Sequence, residues 1–186
     1  MTKHLNGIDL KKVEELRELV RHDDNAAHPR YTANVHWLGG LRTEITLADD
    51  RRLHADEPLN CAGENTAVSP EDLLLSAVGS CLTVAWISVL SARGITVRAL
   101  DIELSGTVNF KGAYGVDDSP PGFEHLNVVV NLDTDASAEV IDGLRSKVAA
   151  ISVIPDTILR AVPLEINVKQ HERRREVRRE TVASKA

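Results

Sequence analysis

Cys81 lies near the middle of Leu73–Ala92, a stretch without a charged side chain that follows directly on Ser69-Pro70-Glu71-Asp72. A thiol does chemistry as its thiolate. A cysteine at the reference pKa of about 8.5 is only a few per cent ionised at pH 7, and a shift of about 2 units, roughly 2.7 kcal/mol, makes the anion dominant. Burial opposes that shift, because desolvation disfavours the charged form. Taken alone, a free cysteine on an apolar helix is a small hydrophobe. Its neighbours Leu82, Val84 and Trp86 offer no cation or donor. The start of the helix lies about 15 Å away at about 1.5 Å per residue, beyond useful dipole range. Activation of this thiol therefore has to come from another segment.

No other motif competes. The chain holds no G-x-S-x-G, Walker loop, H-E-x-x-H or C-x-x-C, and its seven histidines show no metal-ligand spacing, so neither a metal nor a cofactor is expected. A net charge of −6 argues against a nucleic-acid binder, which needs a cationic face to displace counterions from phosphates. Met1–Val20, rich in Lys and Glu, is not a secretory signal, and two cysteines make no disulfide framework, so a reducing cytoplasm is the expected location.

The elements that must position the thiol follow from periodicity. At 186 residues and 42% apolar composition the chain suits one domain. Ile8, Val13, Leu16, Leu19 and Val20 recur at helical spacing behind Asp9, a candidate cap, and predict an amphipathic helix at the domain edge. Residues 21–30 read as a linker. Tyr31, Ala33, Val35 and Trp37 alternate with polar residues, Gly39-Gly40 turns the chain, and Leu41–Leu47 and Arg52–Ala55 follow, which predicts a three-stranded antiparallel meander. The central helix ends at Arg93-Gly94. A long hairpin runs from Leu100 to Val130 through the loop 111–122. A second helix spans Ala136–Ala150, its stripe Val140, Leu144 and Val148, and Val162, Leu164, Ile166 and Val168 predict a last strand. The tail 171–186, with six Lys or Arg against three Glu, reads as a solvated helix. The layout is a 1–28 extension and linker, a 29–170 domain and a 171–186 basic tail.

Leu73–Ala92 is long enough to span a membrane. Ser76, Gly79, Ser80, Thr83, Ser88 and Ser91 interrupt it, however, and the flanking strands alternate as in a water-facing sheet, so no membrane role is expected. An all-round apolar helix is otherwise one buried on every side. The second helix alone is too small to cover it, and Ser76 with Ser80 and Gly79 with Thr83 form faces where another backbone could approach. This predicts a homodimer packed through its central helices.

Asp56-Glu57-Pro58, the Gly63 loop, Ser69-Pro70-Glu71-Asp72-Leu73-Leu74-Leu75, Gly79-Ser80-Cys81 and Ser91-Ala92-Arg93-Gly94-Ile95 follow one another in an order that resembles the OsmC/Ohr-like proteins, as does Ser152-Val153-Ile154-Pro155-Asp156-Thr157-Ile158 before Val162-Pro163-Leu164. The likeness runs from about Tyr31 to Lys169. It implies an α+β, OsmC-like fold with antiparallel sheets around a long buried central helix in an intertwined homodimer. It also implies a thiol-dependent peroxidase that reduces organic hydroperoxides or hydrogen peroxide at the subunit interface. Cys81 would be the nucleophile, Glu71, ten residues earlier, the acidic partner, and Arg42 the cation that stabilises the thiolate. Glu71 lies about 15 Å along the helix from Cys81 of its own chain, so contact between them requires a second subunit or a bend. Leu74, Val78 and Trp86 would form an apolar wall favouring an alkyl hydroperoxide. The two-cysteine members carry a resolving cysteine in the second-helix region, where this chain has Ser152, and Cys61 is the other thiol present. The resemblance then implies turnover by an external thiol reductant, or a dimer that binds a small apolar or sulfur-containing ligand without turnover.

Overall fold

The structure, a computed structural model, describes residues 4–160 and 162–170. Asn6 and Gly7, with φ of 51° and 79°, form a tight turn between strands β1 (His4–Leu5) and β2 (Ile8–Asp9), since Asn-Gly tolerates two successive left-handed residues. Asp9 then caps α1 (Leu10–His22), its carboxylate accepting from the amides of Lys11 and Lys12. The helix falls where its spacing predicts, except that Ile8 belongs to the strand before it. Its apolar stripe stays in solvent: Leu16 is 58% exposed and Leu19 49%. A single turn, α2 (Asp24–Ala27), interrupts the expected linker because Asp23 caps it. The Asn6 side chain pins the terminal hairpin to the domain, donating to Ser91 Oγ and the Ile95 carbonyl and accepting from the Val97 amide, each at 2.9 Å.

Strands β3 (Ala33–Gly39), β4 (Arg42–Leu47) and β5 (Arg52–Ala55) form the expected antiparallel meander in that order. A 3₁₀ turn, Leu59–Cys61, leads to the central helix α3 (Pro70–Ala92). Ser69 and Asp72 cap it reciprocally: the Asp72 amide donates to Ser69 Oγ at 3.1 Å and the Ser69 amide to the Asp72 carboxylate at 3.2 Å. Pro70 takes the first helical position, where a missing amide costs nothing. Gly94 stops the helix with φ of 74°, and Ile95 N–H closes the end on the Leu90 carbonyl. Strand β6 (Val97–Val108), the turn α4 (Phe110–Ala113) and strand β7 (Phe123–Thr134) make the long hairpin, with Leu100 opposite Leu132 and Ile102 opposite Val130. Helices α5 (Ala138–Ile151) and α6 (Val153–Leu159) complete the described elements.

The core gathers Ala85, Trp86, Val89 and Leu90 of α3 against Leu144 and Val148 of α5, with Leu100, Ile102, Val130 and Leu132 of the hairpin packed on it. Leu90 is fully buried, which is worth roughly 1.5–3 kcal/mol of transfer free energy. On α5 the stripe runs through Ile141, Leu144 and Val148; Val140, expected on it, is 45% exposed, because a helix of 3.6 residues per turn aligns position 141 with 144 and 148.

One expectation is met and one is corrected. As expected, the chain's own elements do not cover α3 on every side: its buried positions are Val78, Gly79, Ala85, Trp86, Val89, Leu90 and Ser91, while Val84 is 67% exposed. Residues 162–168 form no strand, because no sheet edge of the same chain pairs with them. Residues 171–186 lie outside the described set.

Candidate functional site

Cys81 sits about midway along α3, half-buried and not in a disulfide. Its sulfur accepts a hydrogen bond from the backbone amide of Ile154 at 3.5 Å. The local chain path produces that contact. Ser152, almost fully buried, ends α5 and begins α6, donating its hydroxyl to the Val148 carbonyl at 2.6 Å and accepting the Asp156 amide at 3.0 Å. The resulting corner delivers the Ile154 N–H, one of the free donors of a helix's first turn, to the sulfur. Ser152 thus shapes the corner, and Ile154 is the residue that touches the thiol.

A groove of about 1250 Å³ runs beside this contact between α3, β7, α5 and α6. Leu74, Val78 and Trp86, which lie on one side of α3, all line it. Leu82 and Pro155, adjacent in sequence to Cys81 and Ile154, line it too. Its wall is mostly apolar, and Glu124, His125, Asp133, Asp142 and Arg145 stand among its lining residues.

Arg42 is placed elsewhere. The Gly39-Gly40 turn, with φ of 109° and 58° and Trp37 Nε1 donating to the Gly40 carbonyl at 3.0 Å, starts β4 at Arg42, whose guanidinium pairs with Glu64 at 3.3 Å. Its Nε is buried and has no hydrogen-bond partner among the described residues. Within one chain its carboxylate partner is therefore Glu64, which sequence reading did not single out.

Glu64 is held by a loop built on Asp56. This buried carboxylate accepts from the amides of Glu57, Glu64 and Thr66 and from the Thr66 hydroxyl, at 2.8 to 3.2 Å. The Thr66 amide first, and then the other donors, hold the Asp56 carboxyl below its usual range. Gly63 is obligatory here: a Cβ would stand 1.8 Å from the Glu57 carbonyl oxygen. An Asp followed by a Gly-Glu-Asn-Thr run is the signal from which this loop could have been read, since Asp side chains organise nearby amides into turns.

Glu71 and Cys61 meet a second set of groups. Burial, followed by the charges of Glu71, Asp56 and Asp72, pushes the Glu57 carboxyl up. The Cys61 sulfur first, then burial, with Glu57 and Glu71 adding their charges, pushes the Tyr114 phenol up. Within one chain Glu71 and Cys61 thus belong to an acidic, tyrosine-capped loop region at the start of α3, and Cys81 to its contact with Ile154, next in sequence to the groove-lining Leu82. Among the described residues, neither Arg42 nor Glu71 hydrogen-bonds the Cys81 sulfur of its own chain.

This arrangement has relatives. The fold matches an OsmC-like protein from Mycoplasma pneumoniae at 17% identity with a TM-score of 0.61, covering 70% of this chain and 88% of that one. It also matches a Legionella pneumophila organic hydroperoxide resistance protein OsmC at 19% identity and a TM-score of 0.53, with 70% and 89% covered. A Vibrio cholerae protein named for organic hydroperoxide resistance, with captopril bound in one of its active sites, matches at 15% identity and a TM-score of 0.50, with 70% and 86% covered. At such identities the likeness establishes the fold. No curated protein matches the chain. Residues 63–167, more than half of the sequence and including α3 with Cys81, match the family model described as OsmC-like protein, and the chain belongs to that family.

Proposed function

We propose that this protein is a cytoplasmic thiol peroxidase that reduces organic hydroperoxides through Cys81 and works as a homodimer. The observation that carries this reading is the Cys81 sulfur, which accepts the Ile154 amide at 3.5 Å next to an apolar groove of about 1250 Å³. The groove wall of Leu74, Val78 and Trp86 holds an alkyl tail by excluding water from it, at about 25 cal/mol per Å² of apolar surface covered, so an organic hydroperoxide gains binding energy that hydrogen peroxide does not.

In the reaction the thiolate attacks the distal peroxide oxygen and the O–O bond breaks. The sulfur–oxygen bond forms, and the leaving alkoxide takes a proton to depart as alcohol. Sulfur is oxidised by two electrons to the sulfenic acid. A small external thiol then condenses with the sulfenic acid, releasing water and leaving a mixed disulfide, and a second such thiol frees Cys81. Ser152 cannot substitute for a resolving thiol, because its hydroxyl forms no disulfide and is bonded to the Val148 carbonyl. The thiolate needs a cation, and Arg42, bonded to Glu64 of its own chain, supplies it from the second subunit, with Glu71 the carboxylate that orients the guanidinium.

A second reading is ligand binding without turnover, favoured by the captopril, itself a thiol, in the active site of the Vibrio cholerae neighbour. Sulfenate trapping on a millisecond timescale with tert-butyl, cumene and hydrogen peroxides separates the two. Peroxidase activity predicts oxidation of Cys81 by the organic peroxides at least about tenfold faster than by hydrogen peroxide. A Cys81 that none of them oxidises would overturn it.

A further inference from the structure

The polar face of the meander carries a row of side chains that no sequence motif announces. Strands alternate their side chains with period two, so Val35, Ile45 and Leu53 share one face and His36, Glu44, Arg52 and His54 the other. The register sets His36 directly opposite Glu44, and Glu44 directly opposite His54. Paired residues on neighbouring strands hold their Cβ atoms about 5 Å apart. Two imidazoles therefore flank one carboxylate, each a strand away from it. Their intervals in sequence match no ligand motif, and only the ladder brings them together.

His54 and Glu44 already meet, Nε2 to Oε2 at 3.6 Å. Two atoms bound to one tetrahedral zinc at about 2.0–2.2 Å each lie about 3.4 Å from one another, so this spacing suits two ligands sharing an ion. Two other histidines meet a carboxylate at 3.6 Å, His22 with Glu18 and His28 with Asp24. Those pairs lie along exposed helical turns, with carboxylate side chains 47% and 97% exposed, whereas Glu44 is 23% exposed. A carboxylate already partly withdrawn from water has less hydration to lose on taking an ion. Among the described strands, only the Glu44 pair has a second histidine directly across the ladder.

As the side chains stand, no three such groups among the described residues are set to hold an ion. Arg52 occupies the carboxylate: its Nη1 donates to both Glu44 oxygens, at 3.1 and 3.2 Å. A divalent ion and this guanidinium compete for the same lone pairs, and the ion adds two imidazole bonds that the guanidinium cannot make.

We propose that His36, Glu44 and His54 form a binding site for a divalent transition-metal ion of the zinc class on the polar face of the meander, and that Arg52 competes with the ion for Glu44. Two imidazoles and a carboxylate are the donor set of an open zinc site, three protein ligands with the fourth position left to water or an outside group. Imidazole selects zinc, copper, nickel or iron over magnesium and calcium, which take oxygen ligands. On binding, His54 and Glu44 keep their places, Arg52 swings off, and His36 turns its ring toward Glu44 by rotation at χ1. The site is separate from the thiol, and no step of the peroxidase reading enters it.

Calorimetric titration of the full chain with zinc chloride, under a phosphine reductant, should show one strongly bound ion per chain. His36→Ala, His54→Ala and Glu44→Gln should each weaken it at least about tenfold, while His22→Ala and His28→Ala leave it unchanged. Arg52→Gln should instead tighten binding about two- to fivefold, a gain that damage to the fold cannot imitate. Cobalt in place of zinc should give visible d–d bands without the sulfur-to-cobalt charge-transfer band that Cys61 or Cys81 would add. Four results would each overturn the proposal: no uptake of zinc, uptake indifferent to His36 and Glu44, weaker binding in Arg52→Gln, or a thiolate band.

Discussion

The two halves of this chain solve the burial problem differently. The helical half closes on itself: Trp86, Val89 and Leu90 of α3 meet Leu144 and Val148 of α5, and the β6–β7 hairpin seals one flank. The meander half pairs its three strands in register but leaves Val35 and Trp37 in solvent. The same alternation that builds a sheet also creates an apolar face that this chain does not cover. The thiol lies in the closed half and the arginine in the open one, so the division of packing is also a division of chemistry. On the proposed reading, a second subunit brings the two together.

The largest effect should come from the closed half. Cys81→Ser replaces the nucleophile with a hydroxyl that does not ionise near neutral pH, and hydroperoxide consumption should fall at least about a thousandfold. Unchanged consumption in a peroxide-depletion assay removes Cys81 from the mechanism. Arg42→Ala tests the open half. If Arg42 supplies the proposed charge at the sulfur, its loss should slow sulfenate formation by about a hundredfold, with partial recovery in Arg42→Lys. A variant as fast as the parent would show that the meander takes no part in the chemistry. Stability sharpens the same contrast. Leu90→Ala, a truncation at a fully buried site, should cost about 2–5 kcal/mol by denaturant titration. Trp37→Ala should lower the stability of the isolated chain by less than about 0.5 kcal/mol while weakening dimerisation, since its ring meets little of its own chain.

What sequence could reveal tracks the range of the interactions involved. The cap at Asp9, the Ser69–Asp72 capping pair, the Gly39-Gly40 turn and the Gly94 stop are local devices, each legible within a few residues. Leu74, Val78 and Trp86 could be grouped from the sequence because they share a helix side whatever packs against them. The Ile154 amide was not legible: it depends on how the Ser152 corner sets α6 across α3, a contact spanning 73 residues with no side-chain signature. Arg42 bonding Glu64 was missed for a similar reason, since the loop that brings Glu64 close is tied by backbone amides to Asp56. The strand expected at 162–168 was read from a period that is present, but a strand also needs a neighbouring edge, and no described strand of this chain pairs with the segment.

The smallest effect should be found in the loop that joins the two halves, and its sign separates two adjacent carboxylates. Asp56 is held below its reference value of 3.8 by the amides it accepts. Its stabilising contribution is present above the ordinary aspartate range and is lost as pH falls through its folded pKa. Glu57 is pushed above its reference value of 4.5 by burial and by its acidic neighbours, so its contribution is present below that value and is lost as pH rises through the folded pKa. Denaturant midpoints followed from about pH 3 to pH 7 should therefore rise out of the acid limb and then sag. Asp56→Asn should flatten the acid limb, and Glu57→Gln should remove the sag. If Asp56→Asn leaves the acid limb as steep as the parent's, the Asp56 carboxylate does not hold the loop that carries Glu64. The Arg42–Glu64 pair would then be set by the meander alone, and the open half would position its arginine without help from the segment that connects it to the helix of the thiol.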